Sequence, residues 1–398
     1  MMENLKIYEE LLSLPFLKVV SVNIEKHRIT MSCELDSASC KCTNCGHSIT
    51  EVHQRYKRTV WDLNMASREV YLLVKIRQFY CKTCHLYFTE SLDFADSNKS
   101  HTYRQEEFMF IVGRKQSYSE TAVIVNVHPK TVERTVLSLC KKKANLAERY
   151  AQVKRLGIDE HSHRKGKKDY LCILTDLDKG TIVDILESRK KEDLIAHFQS
   201  LGTSFCEQIT DVSCDYWQAY ITTAQTCFPN ATIVLDRFHV VKLLNNCVDT
   251  FRKLLRKSEA DNVNYRRLKW ILYKQYHRLS DKELDELDLC FEDCPMLKDI
   301  YWTREQFHHI LDNGKQVEVV VQEMEQWIQS MTEEIKSVFE PFIKTLKSTT
   351  IYIANYVKNS LSNAVTEGLN NLIRSIRRAA FGMTKFEHLR WRALAISD

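Results

Sequence analysis

Apolar and polar positions alternate along much of the first hundred residues, most clearly in Glu69-Val-Tyr-Leu-Leu-Val-Lys75. That two-residue period predicts strands with one buried face. Residues 101–150 change to helical spacing, and from Val153 to Asp236 the pattern is strand-rich again. There, 153–159, 170–175 and 181–186 are closely spaced apolar runs, the pattern of an antiparallel meander. A helix over 191–201 follows, then a run ending at Asp215, a helix from about Trp217, and the run 231–236. Three antiparallel strands followed by alternating helix and strand predict an α/β sheet of mixed direction. From about Val240 to Lys347 the apolar spacing is heptad-like without strand signals, and a last helix is expected over about 363–380. No internal repeat occurs.

Composition narrows the class. The 398 residues, 44% hydrophobic and 27% charged with 9 Gly and 5 Pro, suit an ordinary globular protein of two to three domains. No run approaches the ~18 apolar residues of a membrane helix, and no signal peptide opens the chain, so a membrane partner is not expected. Fourteen Cys are too dilute for a small disulfide scaffold, which points to a reducing cytoplasm. Charge is uneven behind the net +5: residues 101–150 carry 9 basic and 5 acidic side chains, and 368–398 carry 6 and 2. Residues 281–340 carry 5 and 16, so everything outside that block carries +16. A basic body favours polyanions through counterion release, and the acidic block opposes direct contact with them.

Cys42-Thr-Asn-Cys45 and Cys81-Lys-Thr-Cys84 are two CxxC knuckles separated by 35 residues. Paired knuckles set four thiolates at the corners of a tetrahedron, the geometry of one structural Zn²⁺. Gly46 suits the tight turn after the first pair, and the strand-like stretch from His53 to Tyr80 matches a zinc ribbon. Reduced buried cysteines or a redox pair are the rival reading. Cys40 ranks below Cys42 because Cys42–Cys45 repeats the spacing of the second pair. The nine scattered cysteines are expected to be buried packing residues.

The stretch from Tyr118 to Arg134 has the form of a helix-turn-helix. Ser119 can cap the first helix, Ala122 allows close crossing, Val127 packs at the turn and Pro129 opens the second helix. Lys130, Thr131 and Arg134 then project from the start of the recognition helix toward DNA. A plain helical hairpin is the alternative.

Three carboxylates stand apart. Asp159 ends the run Leu156-Gly-Ile-Asp159, and Asp215 ends Ile209-Thr-Asp-Val-Ser-Cys-Asp215. Glu367 is followed at i+3, i+4, i+7 and i+11 by Asn370, Asn371, Arg374 and Arg378, one polar stripe opposite Leu369, Leu372, Ile373 and Ile376. Brought together, these acids make an oxygen-rich site for two Mg²⁺ (or Mn²⁺) ions about 3.5–4 Å apart, suited to in-line phosphoryl displacement. Strand-end Asp is also a common turn residue. Asp236-Arg-Phe-His239 places His239 within a turn of Asp236, where it either orients backbone or contacts a scissile phosphate.

With these motifs in order, the chain resembles the DDE transposases of bacterial insertion sequences, specifically the ISL-three group. The resemblance rests on the ribbon, the helix pair, Leu156-Gly-Ile-Asp-Glu160, Asp215-Tyr-Trp-Gln-Ala-Tyr220, Asp236-Arg-Phe-His-Val-Val-Lys242, Thr366-Glu-Gly-Leu-Asn-Asn371 and Ile376-Arg-Arg-Ala-Ala-Phe-Gly382. Thr43 stands where the family usually has Pro, and Phe381 where it has Tyr. The resemblance implies an RNase H-like α/β catalytic core with a large all-helical insertion, preceded by a zinc ribbon and a helix-turn-helix. The expected divisions are 1–98 (ribbon), 99–150 (helix-turn-helix), 151–239 (core), 240–347 (insertion) and 348–398 (core with the Glu helix). Asp159, Asp215 and Glu367 are then the magnesium triad, His239 a further site member, and Arg374 and Arg378 phosphate contacts. Double-stranded DNA, both terminal inverted repeats and target, is the implied partner, with a homodimer or higher oligomer in the synaptic complex. The rival classes are a ribbon-and-helix DNA-binding regulator without cleavage, and a host nuclease or recombinase with the same core.

Overall fold

The computed structural model describes residues 2–164, 169–258, 265, 267–359, 364–380 and 385–397. Phe381 and Gly382, the end of the last motif, lie outside these, as does Asn363 at the expected start of the Glu helix. Two compact units emerge: Met1–Ala144 with Ser375–Ile396, and Asn145–Arg374 with Ser397–Asp398.

The first unit opens with α1 (Met2–Leu12), then β1 (Leu17–Ile24), β2 (Arg28–Leu35), β3 (Cys40–Lys41), β4 (Ser48–Ile49), β5 (Val52–Met65), β6 (Arg68–Cys81) and β7 (Leu86–Thr89). The alternating run around Glu69–Lys75 lies within β6, whose burial alternates as the pattern predicts. β6 pairs antiparallel with β5, parallel with β2 and, at its far end, antiparallel with β7, giving the order β1-β2-β6-β5. The ribbon is therefore the tip of a larger five-stranded sheet. Its apolar face, with Met31, Val60, Leu72 and Val74 fully buried, has a core of its own.

Three helices follow: α2 (Tyr103–Gly113), α3 (Tyr118–Val125) and α4 (Pro129–Ala144). Ser117, not Ser119, caps α3: its side chain accepts from the Glu120 backbone N–H, and Ser119 is already inside the helix. Asn126 takes the left-handed conformation that ends α3, Val127 is buried at the turn, and Pro129 starts α4.

The second unit contains α5 (Leu146–Gln152), β8 (Arg155–Arg164), β9 (Asp169–Asp176), β10 (Thr181–Leu186), α6 (Lys191–Ser200), α7 (Thr203–Gln208), β11 (Asp211–Cys214), α8 (Gln218–Cys227) and β12 (Thr232–Leu235). The sheet order is β10-β9-β8-β11-β12: the first three strands run antiparallel, and β8, β11 and β12 run parallel. This is the expected mixed sheet. After it come α9 (Arg237–Ser258), α10 (Leu268–Tyr273), α11 (Asp281–Asp293), α12 (Pro295–Asn313), α13 (Val317–Gln329), α14 (Glu333–Ala354), the short α15 (Tyr356–Asn359) and α16 (Ala364–Ala379). One continuous hydrophobic core runs from the sheet through α9 to α14, and the Asn355 side-chain amide donates to the Ile233 carbonyl of β12 at 2.8 Å.

Arg304 shows how the helices are held. Fully buried on α12, it donates to Asn245 Oδ1 (2.6 Å), the Tyr273 carbonyl (2.6 Å), the Lys274 carbonyl (3.1 Å) and Glu305 (2.6 Å). Truncation would remove the buried donor to Asn245 Oδ1 and leave two part-buried carbonyls and the Glu305 carboxylate without their charged partner. Arg304→Ala should therefore lower the unfolding free energy by roughly 3–5 kcal/mol, read as an earlier urea midpoint.

A further helix, α17 (Phe386–Ile396), follows, beyond the last helix that the sequence pattern predicted. It packs on α4, where fully buried Arg392 stacks on the Tyr118 ring at 4.0 Å and donates to the Gln116 carbonyl at 2.8 Å.

Candidate catalytic and metal centres

The two knuckles meet. β3 and β4 form a two-stranded hairpin around Cys42 and Cys45, while Cys81 ends β6 and Cys84 lies in the turn to β7. Gly46 has a φ of +73° and donates to the Cys42 carbonyl, which closes the first knuckle. All four Sγ atoms lie within 4.8 Å of one another, and Cys45 and Cys81 are 3.6 Å apart. Backbone N–H groups of Cys45 and Asn44 point at the Cys42 sulfur and draw its pKa down to about 7, favouring the thiolate a metal requires. Four convergent thiols with such donors fit Zn²⁺. Cys40 stays outside the cluster, with its thiol against the Lys41 carbonyl. Of the nine scattered cysteines, eight are buried and Cys294 is half-buried.

The carboxylates are organised by strand register. Asp159 does not end its strand: β8 runs on to Arg164 alongside β9. It ends the pairing with β11 instead, because the parallel ladder stops at Ile158↔Cys214. The ladder between β11 and β12 stops likewise at Cys214↔Leu235. Asp159, Asp215 and Asp236 each come one residue after those pairs, so three carboxylates stand in one row where the parallel ladders of three adjacent strands end. The carboxyl side of such ladders is where open α/β sheets take their ligands.

Burial tunes the row. Asp159 and Asp236 are buried and Asp215 is half-buried. Desolvation raises the pKa of Asp159 and pushes Asp215 up to about 6, even though the Trp217 backbone N–H donates to Asp215 at 2.8 Å. Among the described residues no Lys or Arg pairs with either acid, so the row gathers negative charge that a bound cation would relieve. His239 donates Nδ1–H to Asp236 at 3.0 Å; burial disfavours its charged form, but Asp236, then Asp215 and Asp159, outweigh this and raise its pKa. Glu160 pairs with Arg189, whose guanidinium lies over the rings of Tyr170 (4.0 Å) and Trp217 (4.4 Å).

An observable consequence concerns the metal-free protein. Below about pH 4 Asp215 is protonated folded or unfolded; between about 4 and 6 only the folded state keeps the proton, so stability falls as pH rises through that window. Asp215→Asn removes this cost. In chelator it should gain up to roughly 2–3 kcal/mol above pH 6 and nothing below pH 4, measured by urea unfolding across pH.

Glu367 sits in the first turn of α16, exposed, and its carboxylate has no hydrogen bond or ion pair among the described residues. The four thiols are the one group of three or more His, Cys, Asp or Glu side chains gathered closely enough to share an ion among the described residues, and Glu367 is not grouped with Asp159 and Asp215 in that way. The expected polar stripe of α16 is also corrected. Asn370 is buried with Thr366, Leu369, Ile373 and Ile376, while Glu367, Asn371, Arg374 and Arg378 are exposed. Asn370 instead contacts Asp159, donating from Nδ2 to Oδ2 at 2.8 Å. Its place next to Leu369 in a helical pattern gave no sign of this, because the polar stripe and the buried stripe adjoin there.

In the first unit, Lys130 and Arg134 are exposed on α4 and Thr131 is half-buried. Thr131 and Arg134 line a polar cavity of about 550 Å³ together with Lys99 and His101. Among the described residues Arg134 has no ion-pair partner.

The geometry can be set beside known proteins. A family model described as a transposase, of the ISL-three DDE type, matches residues 156–393. The chain belongs to the ISL-three transposase family. A second model, "zinc-finger of transposase IS204/IS1001/IS1096/IS1165", matches residues 38–84, the span of both knuckles. The chain is also similar to the transposase for insertion sequence element IS1557 of Mycobacterium tuberculosis, 24% identical over 374 residues, covering 86% of this chain and 82% of that protein. With the transposase for element IS1001 of Bordetella parapertussis the identity is 24% over 353 residues, covering 87% and 86%. Among the described residues no helix of this transposase-family chain is long and apolar enough to cross a membrane.

Proposed function

We propose that the protein is a DNA transposase that binds the terminal inverted repeats of an insertion sequence and cleaves and joins strands at a DDE centre. The row of Asp159, Asp215 and Asp236 where the parallel ladders end carries this reading. Asp159, Asp215 and Glu367 would hold two Mg²⁺ (or Mn²⁺) ions. Such ions, when bound, lower the pKa of a water or 3′-hydroxyl and neutralise the leaving oxygen. The chain supplies the rest. Asp159 is aimed by the Glu160 backbone N–H and by Asn370, and Asp215 by the Trp217 backbone N–H. Glu367, without another partner among the described residues, would complete the ligand set from α16 once it is drawn to the bound metal. His239, its proton held on Nδ1 by Asp236, turns Nε2 to the phosphate side, and Arg374 and Arg378 neutralise the DNA backbone beyond.

The mixed sheet, three antiparallel strands followed by two parallel ones, supports an RNase H-like core, and the helices of 240–347 an insertion within it. The α3–α4 pair, with its left-handed Asn126 and unpaired Arg134, supports a helix-turn-helix reading DNA through Lys130, Thr131 and Arg134. One Zn²⁺ on Cys42, Cys45, Cys81 and Cys84 would hold the ribbon. Joining two ends calls for at least a dimer in the synaptic complex, acting in the bacterial cytoplasm. The test is incubation of purified protein and Mg²⁺ with duplexes carrying the element ends. Nicking at the end junction and joining to a second duplex are expected; tight binding without nicking would mark a regulator and sink the proposal.

A further inference from the structure

Asp159 and Glu367 lie 208 residues apart on a strand and a helix, and one buried side chain ties those two elements together. Asn370 Nδ2 donates to Asp159 Oδ2 at 2.8 Å, and Asn370 Oδ1 meets His161 Nδ1 at 3.0 Å. All three residues are at least nine-tenths buried, at 6% exposure for Asn370, 8% for Asp159 and 4% for His161. An amide that gives its N–H to the carboxylate has only its oxygen left to face His161, so His161 must carry its proton on Nδ1. The chain of donors is thereby directional: His161 Nδ1–H to Asn370, Asn370 N–H to Asp159.

We infer that Asn370 is the positioning residue that sets the Glu367 helix in register with the Asp159 strand and fixes the plane of the Asp159 carboxylate for its metal. This rests on the metal-centre reading above. Three features support it. Asp159 Oδ1 is held by the Glu160 backbone N–H at 2.8 Å, so Asn370 supplies the second of two restraints on one carboxylate. Each oxygen keeps a free lone pair for a cation. Glu367 lies one helical turn before Asn370, about 60° round the helix, so a shift of Asn370 moves Glu367 with it. The remaining buried stripe of α16 is apolar apart from Thr366, whose hydroxyl meets that of Thr175 on β9 at 3.4 Å; neither group addresses an acid of the row. His161 and Asn370 act behind the metal ligand, and outer partners of this kind are worth about 10–100-fold in metal affinity.

Mn²⁺ binding to the full-length protein, by calorimetry, and the Mn²⁺ concentration giving half-maximal cleavage are the readouts. Asn370→Ala should weaken both about 10–100-fold while DNA binding stays at the wild-type level. Asn370→Leu keeps the volume and suits the apolar stripe; it should weaken Mn²⁺ equally, and it decides the matter where the alanine variant unfolds. His161→Ala leaves the direct contact and should give a smaller loss. Wild-type Mn²⁺ affinity in a folded Asn370→Leu protein would overturn the inference. Asp159→Ala serves as the reference: if it too keeps full Mn²⁺ affinity, the metal-centre reading itself fails, whereas loss with Asp159→Ala alone removes only the role of Asn370.

Discussion

Asp215→Asn should abolish strand cleavage, by at least about 10³-fold, in a protein that folds at least as well as the wild type. The pairing of those two outcomes gives the experiment its force. Asp215 accepts a hydrogen bond from the Trp217 backbone N–H, and the carbonyl oxygen of an asparagine can accept the same bond. The substitution therefore deletes charge while keeping shape, and it relieves the desolvation that pushes the Asp215 pKa up to about 6. Asp159→Asn is a poorer probe. Its two oxygens face two donors, the Glu160 N–H and the Asn370 amide, so an asparagine there would turn its own NH₂ against one of them. Asp159→Ala is the better companion and should be as inactive. Binding to end duplexes, measured by anisotropy, should be unchanged in both, because the proposed DNA contacts on α4 lie in the other compact unit. Persistent nicking by Asp215→Asn would remove the triad, and lost binding would show that the acids support the fold.

The sequence pattern predicted the mixed sheet because its strands are short, apolar and buried on both faces, as in Ile233 and Val234 of β12. It predicted the thiol cluster because two CxxC spacings leave few geometries. Register was not legible. Nothing in the sequence states that Ile158, Cys214 and Leu235 end their ladders side by side, so Asp236 was met as a partner of His239 and not as a third member of a row. Asn370 was hidden for a related reason: on a helix, a residue at the border of two stripes is assigned by its polarity, and only the partner across the interface reverses that. Helix α17 was missed because its turns bury an arginine, Arg392, which reads as surface.

The double variant Cys81→Ser, Cys84→Ser should drop zinc from about one ion per chain to none and unfold the knuckle region while the sheet beside it survives. The difference follows from where each part gets its stability. β3 and β4 are two residues each, and the apolar group around them has four buried members, Cys42, Phe79, Cys81 and Phe88, two of which are ligands. Two-residue strands bury too little to hold a hairpin closed, so the ion must supply the free energy; structural zinc contributes on the order of 10 kcal/mol in small domains. The β1-β2-β6-β5 sheet, by contrast, packs Met31, Val60, Leu72, Val74 and their neighbours in a separate cluster that owes nothing to the thiols. Limited proteolysis should therefore open new cuts within 38–52 and 82–88 in the variant or in chelator-treated protein, with the α3–α4 segment still protected. Affinity for end duplexes should fall at least about tenfold if the ribbon contacts DNA. A variant with unchanged metal content, or a wild type that carries no zinc and resists cutting at the knuckles, would overturn the zinc assignment and leave four converging thiols held by packing alone.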